Sequence, residues 1–163
     1  LARKFNELER GELVRTLASQ FDINVYGDEG WKVLRAHRIH YKKYLEHFVE
    51  MPKAIKSSKI NINMTRVYVD SGLPMRIFDV LAVGGFLISN YKSDLEDLFS
   101  TGKDLIIYRD LKDLLELCKY YLEHPEEREE IALHGQNTLY SKHSYKKRLK
   151  KIMQIVKSVK VSI

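Results

Sequence analysis

Val69-Asp-Ser-Gly-Leu-Pro-Met-Arg-Ile-Phe-Asp-Val-Leu-Ala-Val-Gly-Gly-Phe-Leu-Ile-Ser-Asn90 is the stretch whose reading decides the fold. Asp70, Ser71 and Gly72 are loop formers, and Pro74 brings a φ already set for the first turn of a helix. From Met75 onward Ile77, Phe78, Leu81 and Ala82 recur at helical spacing, which predicts a helix with one buried face. Gly84 stands where a helix needs a left-handed terminal residue. Residues 86–89 are a short apolar run of the kind that fills the middle of a parallel sheet. A helix opening from a glycine-containing loop is an anion site, because its first N–H groups have no intrahelical partner and its dipole is positive there. Arg76 and Asp79 lie three apart on that helix and share a face. Arg76 suits a phosphate, and Asp79 suits the hydroxyls of a sugar.

Outward from this stretch, strands and helices alternate. Upstream, residues 5–19 suit a helix interrupted or capped near Gly11, and residues 21–26 alternate apolar and polar as a strand closed by Gly27-Asp-Glu-Gly30. Residues 31–37 fit more than one state. A short strand at 38–41, a helix or turn with a short helix over 44–58, and a strand at 60–63 follow. Downstream, Ser93 and Glu96 fit a capping box, and Gly102 ends that helix. Residues 105–108 form a strand, Asp110 caps a helix to about Glu123, and His124-Pro125 breaks it because the residue before proline leaves the α region. A helix from Glu126 reaches at least Gly135, and the last runs over about 145–159. This alternation predicts an α/β fold, a Rossmann-like doubly wound parallel sheet with helices on both faces. Ligands of such sheets bind outside the carboxyl ends of the strands, here the loops 27–30, 41–44, 63–75 and 90–93.

Composition sets the class. A chain of 163 residues, 44% hydrophobic and 31% charged, is long enough to bury a core as one domain, residues 1–163. No run approaches the roughly 18 apolar residues of a membrane span, and no signal-peptide pattern is read. The lone Cys118 excludes an intrachain disulfide and favours a cytoplasmic setting. The net charge of +6 is unevenly placed, since residues 140–163 hold seven Lys and one Arg with no acid. Subtracting that +8 leaves the first 139 residues at −2, so no nucleic-acid partner is expected from the overall charge.

Several short motifs in order resemble the C-terminal domain of group 1 GT-B glycosyltransferases, closest to the branch typified by the spore maturation protein CgeB. They are Ser58-Lys-Ile-Asn-Ile-Asn63, Ser71-Gly-Leu-Pro-Met-Arg-Ile-Phe-Asp79, Leu81-Ala-Val-Gly-Gly-Phe-Leu-Ile-Ser89 and Asp94-Leu-Glu-Asp-Leu-Phe99. Gly102-Lys-Asp, Tyr108-Arg-Asp-Leu, Tyr121-Leu-Glu-His-Pro-Glu-Glu-Arg128, Gly135-Gln and His143-Ser-Tyr145 continue the match over roughly residues 20–155. The resemblance implies a glycosyltransferase of hexosyl type in which two Rossmann-like halves face across a cleft. This half would bind a nucleotide-diphosphate sugar, UDP- or GDP-linked, as substrate, with no cofactor and no metal. The N-terminal acceptor domain, and the first strand of the C-terminal one, have no counterpart in these residues, so the enzyme is expected to be incomplete here. The family carries two Glu eight positions apart. The second falls on Asp79, an acceptor for ribose hydroxyls. The first falls on uncharged Ser71, with Asp70 beside it to substitute if the loop shifts by one residue. The amides of Gly72, Leu73 and Met75 would face the diphosphate, and Arg76 would pair with it. Arg10-Gly11 stands where a Lys-Gly is common.

Other residues carry competing readings. Gly27 is a turn former or a contact to base or ribose, and Tyr41 is a half-buried strand residue or part of the nucleobase pocket. The six His show no metal-ligand spacing. The basic last helix either braces the missing domain, lies peripherally on an anionic membrane or is a solvated face. The competing function is a non-catalytic doubly wound interaction or regulatory module. A receiver domain needs an acidic cluster at its first strand and an Asp ending a middle strand, where Ile60-Asn-Ile-Asn63 offers Asn.

Overall fold

A computed structural model describes residues 2–66, 69 and 71–161. Helix α3 (Met75–Ala82) forms where the stretch at 69–90 predicts it, with Pro74 one residue ahead of it as N-cap (φ −66°, ψ 146°) and Ile77, Val80 and Leu81 buried. Gly84 closes the helix in the left-handed region at φ +71°. A Cβ on Gly85 would lie 2.6 Å from Ile55 Cγ2, so the second glycine lets strand β4 (Leu87–Asn90) pass close to helix α2 (Glu50–Ser57).

Among the described residues five short strands pair, all in parallel. β3 (Asn61–Asn63), β4 and β5 (Ile106–Tyr108) form one ladder, with Asn61 opposite Leu87 and Ile88 opposite Ile106. β1 (Ile23–Tyr26) and β2 (Ile39–Lys42) form the other, with Ile23 opposite Ile39. Each strand starts one or two residues later than its apolar run. Phe86 and Leu105, just ahead of β4 and β5, are nonetheless buried in the core. Successive strand residues then point to opposite faces. Ile88 and Ile106 join Leu17, Leu114 and Ile131 on one side, while Leu87 and Leu105 join Ile55, Ile77 and Leu95 on the other. Helices therefore cover both faces, α1 (Ala2–Ala18), α5 (Leu111–Glu123) and α6 (Pro125–Thr138) on one, and α2, α3 and α4 (Ser93–Leu98) on the other.

Two local expectations fail. Gly11 does not interrupt α1, which runs through it unbroken because Gly11 is buried and packed beside Arg15 and Leu34. The capping box at Ser93 does not form: Lys92 is the N-cap and contributes no side-chain bond, so Ser93 lies inside the helix. Glu96 faces the Tyr91 hydroxyl at 3.5 Å instead of reaching back. The end of the turn read at 27–30 and the start of the open stretch 31–37 together make a 3-10 turn (Glu29–Val33) capped by Asp28, whose carboxylate accepts from Gly30 N.

One buried carboxylate fastens α6 to the sheet. Asp104, 3% exposed, accepts from Ser100 N at 2.7 Å, Thr138 Oγ1 at 2.7 Å and His134 Nδ1 at 2.6 Å. Between His134 and Thr138, Gly135 lies so close that a Cβ there would be 2.1 Å from the Asp104 carbonyl oxygen. A π-turn (Leu139–His143) then leads to α7 (Tyr145–Val161), held at its start by Arg148 4.7 Å over the Phe78 ring. Leu149, Ile152 and Met153 on α7 are more than half exposed. No helix among the described residues is long and apolar enough to cross a membrane.

Candidate functional site

A cavity of about 830 Å³ opens between the two ladders and reaches the carboxyl ends of β1 and β3. Arg10, Arg66 and Arg76 come to it from three separate places: α1, the loop after β3, and the first turn of α3. Arg10 stands 5.0 Å over the ring of Trp31, the sole tryptophan. Burial pushes the Arg10 guanidinium below its ordinary value, and the charge of Arg66 adds to that, with Asp28 opposing. Guanidiniums near enough to repel one another at a cavity wall favour an anion there.

The loop that carries Arg66 is held by a buried amide network. Asn63 donates to Thr65 Oγ1 at 3.1 Å and Ser89 Oγ at 2.9 Å. Asn90 then brackets Thr65, accepting from its N–H at 2.7 Å and donating to its carbonyl at 3.2 Å. These bonds tie the end of β3 to the end of β4, so Arg66 leaves a rigid edge.

The predicted residues fall in different places. Ser71, Gly72, Leu73 and Arg76 line the cavity. Gly72 takes φ +92°, which a side chain resists, and its N–H donates to Asp94 Oδ2 at 3.1 Å. An anion at this loop would compete with that carboxylate. Arg76 also contacts Met51 Sδ on α2. Asp79 is off the cavity wall: its side chain is 15% exposed and lies 3.8 Å from Nε2 of His47, in the turn that precedes α2. Met75 is half exposed and also off the wall. Gly27 and Tyr41 share a second cavity of about 500 Å³ with Asp28 and Glu29, which adjoins the first at Tyr44. There the Tyr41 hydroxyl donates to Gly27 O at 3.3 Å, and a Cβ on Gly27 would press on the Trp31 indole at 2.9 Å. Asp70 lies outside the described residues.

Pattern reading misses Arg66 and Trp31. Arg66 had a signal, its place in the loop 63–75 at the sheet's ligand edge; Trp31 had none, because residues 31–37 show no periodicity. Among the described residues no three of His, Cys, Asp and Glu gather closely enough to hold a metal ion. Cys118 is buried in the core, and desolvation pushes its thiol up to about 12, so it is an inert packing residue.

Comparisons with known proteins bear on the family and the fold. The profile of a family described as "Glycosyl transferase-like" matches residues 7–154. A search of curated proteins gives no significant match. Nineteen solved chains match significantly. Among them, sucrose-phosphate synthase from Thermosynechococcus elongatus superposes with a TM-score of 0.75 at 11% identity, over 94% of this chain and 42% of that one. At that identity the likeness is one of fold, and this chain spans less than half the length of that relative.

Proposed function

Because the chain belongs to the glycosyl transferase-like family, we propose that its cavity binds the nucleotide-diphosphate part of a sugar donor, UDP- or GDP-linked, in a transferase of the CgeB-like branch that moves a hexosyl group. The observation that carries this reading is the convergence of Arg10, Arg66 and Arg76 on one cavity at the carboxyl edge of a parallel sheet. As the bond between the anomeric carbon and the diphosphate oxygen breaks, the electron pair goes to that oxygen. The arginines and the positive end of α3 stabilise the charge that develops. The amides of Leu73 and Met75 precede and open α3, and the Gly72 amide joins them by exchanging Asp94 for phosphate. Gly27 and Tyr41 in the adjoining cavity take the base. The domain's contribution is orientation and charge, with no bond formed to the protein. The acceptor and the base that takes its hydroxyl proton belong to a facing domain.

Trp31 makes the test direct, since nucleotide binding under Arg10 changes the emission of the sole indole. Titration with UDP-, GDP- and other nucleotide sugars is expected to saturate for one class. Removing one charge-assisted contact is worth about 1.5–3 kcal/mol, so Arg10→Gln or Arg76→Ala should weaken that binding about ten- to a hundredfold. Saturation by no nucleotide, or affinity unchanged in the Arg10→Gln, Arg76→Ala double variant, refutes the reading.

A further inference from the structure

Between the arginines and the second cavity stands one carboxylate. Asp28 lies two residues past the end of β1, at the carboxyl edge where doubly wound sheets hold ribose hydroxyls. Its Oδ1 accepts from Gly30 N at 2.9 Å, and its carbonyl oxygen accepts from Trp31 N at 3.3 Å. A Cβ on Gly30 would lie 2.8 Å from Oδ1, so the side chain rests where glycine leaves it room. The carboxylate is fixed through that one oxygen. Among the described residues Oδ2 has no hydrogen-bond or ion-pair partner.

Two observations give its place. Asp28 and Tyr44 both line the second cavity. Desolvation lowers the Arg10 guanidinium in the first cavity, and the Asp28 carboxylate and the Tyr44 phenol each oppose that shift. Asp28 is therefore within Coulomb range of the diphosphate end and on the wall of the base end. The neighbouring carboxylates are taken or elsewhere. Glu29, on the same wall, accepts from Lys32 Nζ at 2.7 Å, and that ammonium stands 5.6 Å over the Tyr41 ring. Asp79, to which the resemblance gives the ribose, lines neither cavity.

Resting on the reading of the two cavities as a nucleotide site, we propose that Asp28 is the residue that positions the donor's ribose, its Oδ2 accepting from the vicinal 2′- and 3′-hydroxyls. A nucleoside diphosphate presents diphosphate, ribose and base in that order, and Arg10, Asp28 and Tyr41 follow the same order. Two hydroxyl donors suit an ionised carboxylate, which only accepts, and its charge strengthens both bonds. Because Gly30 already holds Oδ1, little side-chain freedom is lost on binding. The same charge turns away nucleotides phosphorylated on those hydroxyls.

Trp31 emission and isothermal titration test this with UDP, GDP, their 2′,3′-dideoxy counterparts and inorganic pyrophosphate. The ribonucleotide of the preferred base should bind about tenfold tighter than its dideoxy form, the worth of a charge-assisted bond discounted for an exposed carboxylate. Asp28→Asn keeps an oxygen for Gly30 N and should bring the ribonucleotide down to the dideoxy level, with the dideoxy form and pyrophosphate no weaker. Asp28→Ser, also a capping residue, should do the same. Glu29→Gln, the same change of charge one residue on, should keep the preference. Equal affinity for ribo and dideoxy forms in the wild type, a preference that survives in both Asp28 variants, or one lost equally in Glu29→Gln overturns the assignment and leaves the nucleotide site standing. Weakening of every ligand alike in the Asp28 variants, pyrophosphate included, marks a capping role only and overturns it too. Saturation by no nucleotide in the wild type overturns the nucleotide reading and this assignment together.

Discussion

Asp104→Asn isolates one buried carboxylate, and its cost can be worked from three distances. Oδ2 accepts from Ser100 N at 2.7 Å, while Oδ1 accepts from Thr138 Oγ1 at 2.7 Å and His134 Nδ1 at 2.6 Å. Asn keeps one acceptor oxygen. If that oxygen stays at the Oδ1 position, its amide group meets the Ser100 N–H, donor against donor, and a buried donor left unmatched costs about 1–3 kcal/mol. Loss of charge assistance to the Thr138 hydroxyl adds about 1 kcal/mol, and His134 adds little because its side chain is 55% exposed. The expected total is roughly 2–4 kcal/mol, or about 5–15 °C in Tm for a chain of this length. Urea unfolding followed by circular dichroism at pH 7 measures it. Acid gives an independent sign. Burial alone would raise the Asp104 carboxyl, but the Ser100 amide, the Thr138 hydroxyl and His134 together hold it below its ordinary value. Its stabilisation is therefore complete above the unfolded value near 3.9 and is lost as pH falls through the lower folded value. The gap between wild type and Asn should narrow below about pH 4. A loss under about 0.5 kcal/mol at pH 7, or a gap independent of pH down to 3, refutes the account.

Gly135→Ala should destabilise by about 1–3 kcal/mol or more, because the new methyl meets the Asp104 main-chain oxygen, which cannot swing aside; a urea midpoint equal to wild type would show that α6 shifts freely. Cys118 should react with a thiol reagent only on unfolding, since it is 3% exposed and its thiol is pushed up to about 12; stoichiometric modification at pH 8 without loss of helix signal would contradict this. On α7, Leu149, Ile152 and Met153 form an exposed apolar strip beside Lys146, Lys150 and Lys157, a pattern suited to an anionic lipid surface. Co-sedimentation with phosphatidylserine vesicles should fall at least tenfold in Leu149→Glu, Met153→Glu and weaken with salt. Retention unchanged by the double variant, or equal on neutral vesicles, would remove the membrane proposal.

Local pattern carried most of the element list. Ile77, Phe78 and Leu81 at helical spacing, Gly84 after them and the apolar run at 86–89 were enough for α3 and β4, because helix period, proline φ and left-handed glycine are properties of neighbouring residues. Parallel pairing followed from the alternation of such units. Where the reading failed, contacts from afar had intervened. Gly11 stays helical because it packs beside Leu34, whereas the failed cap is a local matter, Glu96 facing Tyr91 five residues back. The loop at Ser71–Leu73 was legible in its composition, but the carboxylate that takes its Gly72 amide comes from Asp94, on the following helix.

What the order of residues determined by itself is the kind of fold and its helix and strand inventory, since each depends on residues within a turn or two of one another. Tertiary structure alone decided that Arg10, Arg66 and Arg76 line one cavity, with Arg10 over Trp31, and that Asp79 stands aside from it with His47. The reason is range. Arg10 and Arg76 are separated by five structural elements, and no periodicity in sequence reports how residues so far apart come to line the same cavity.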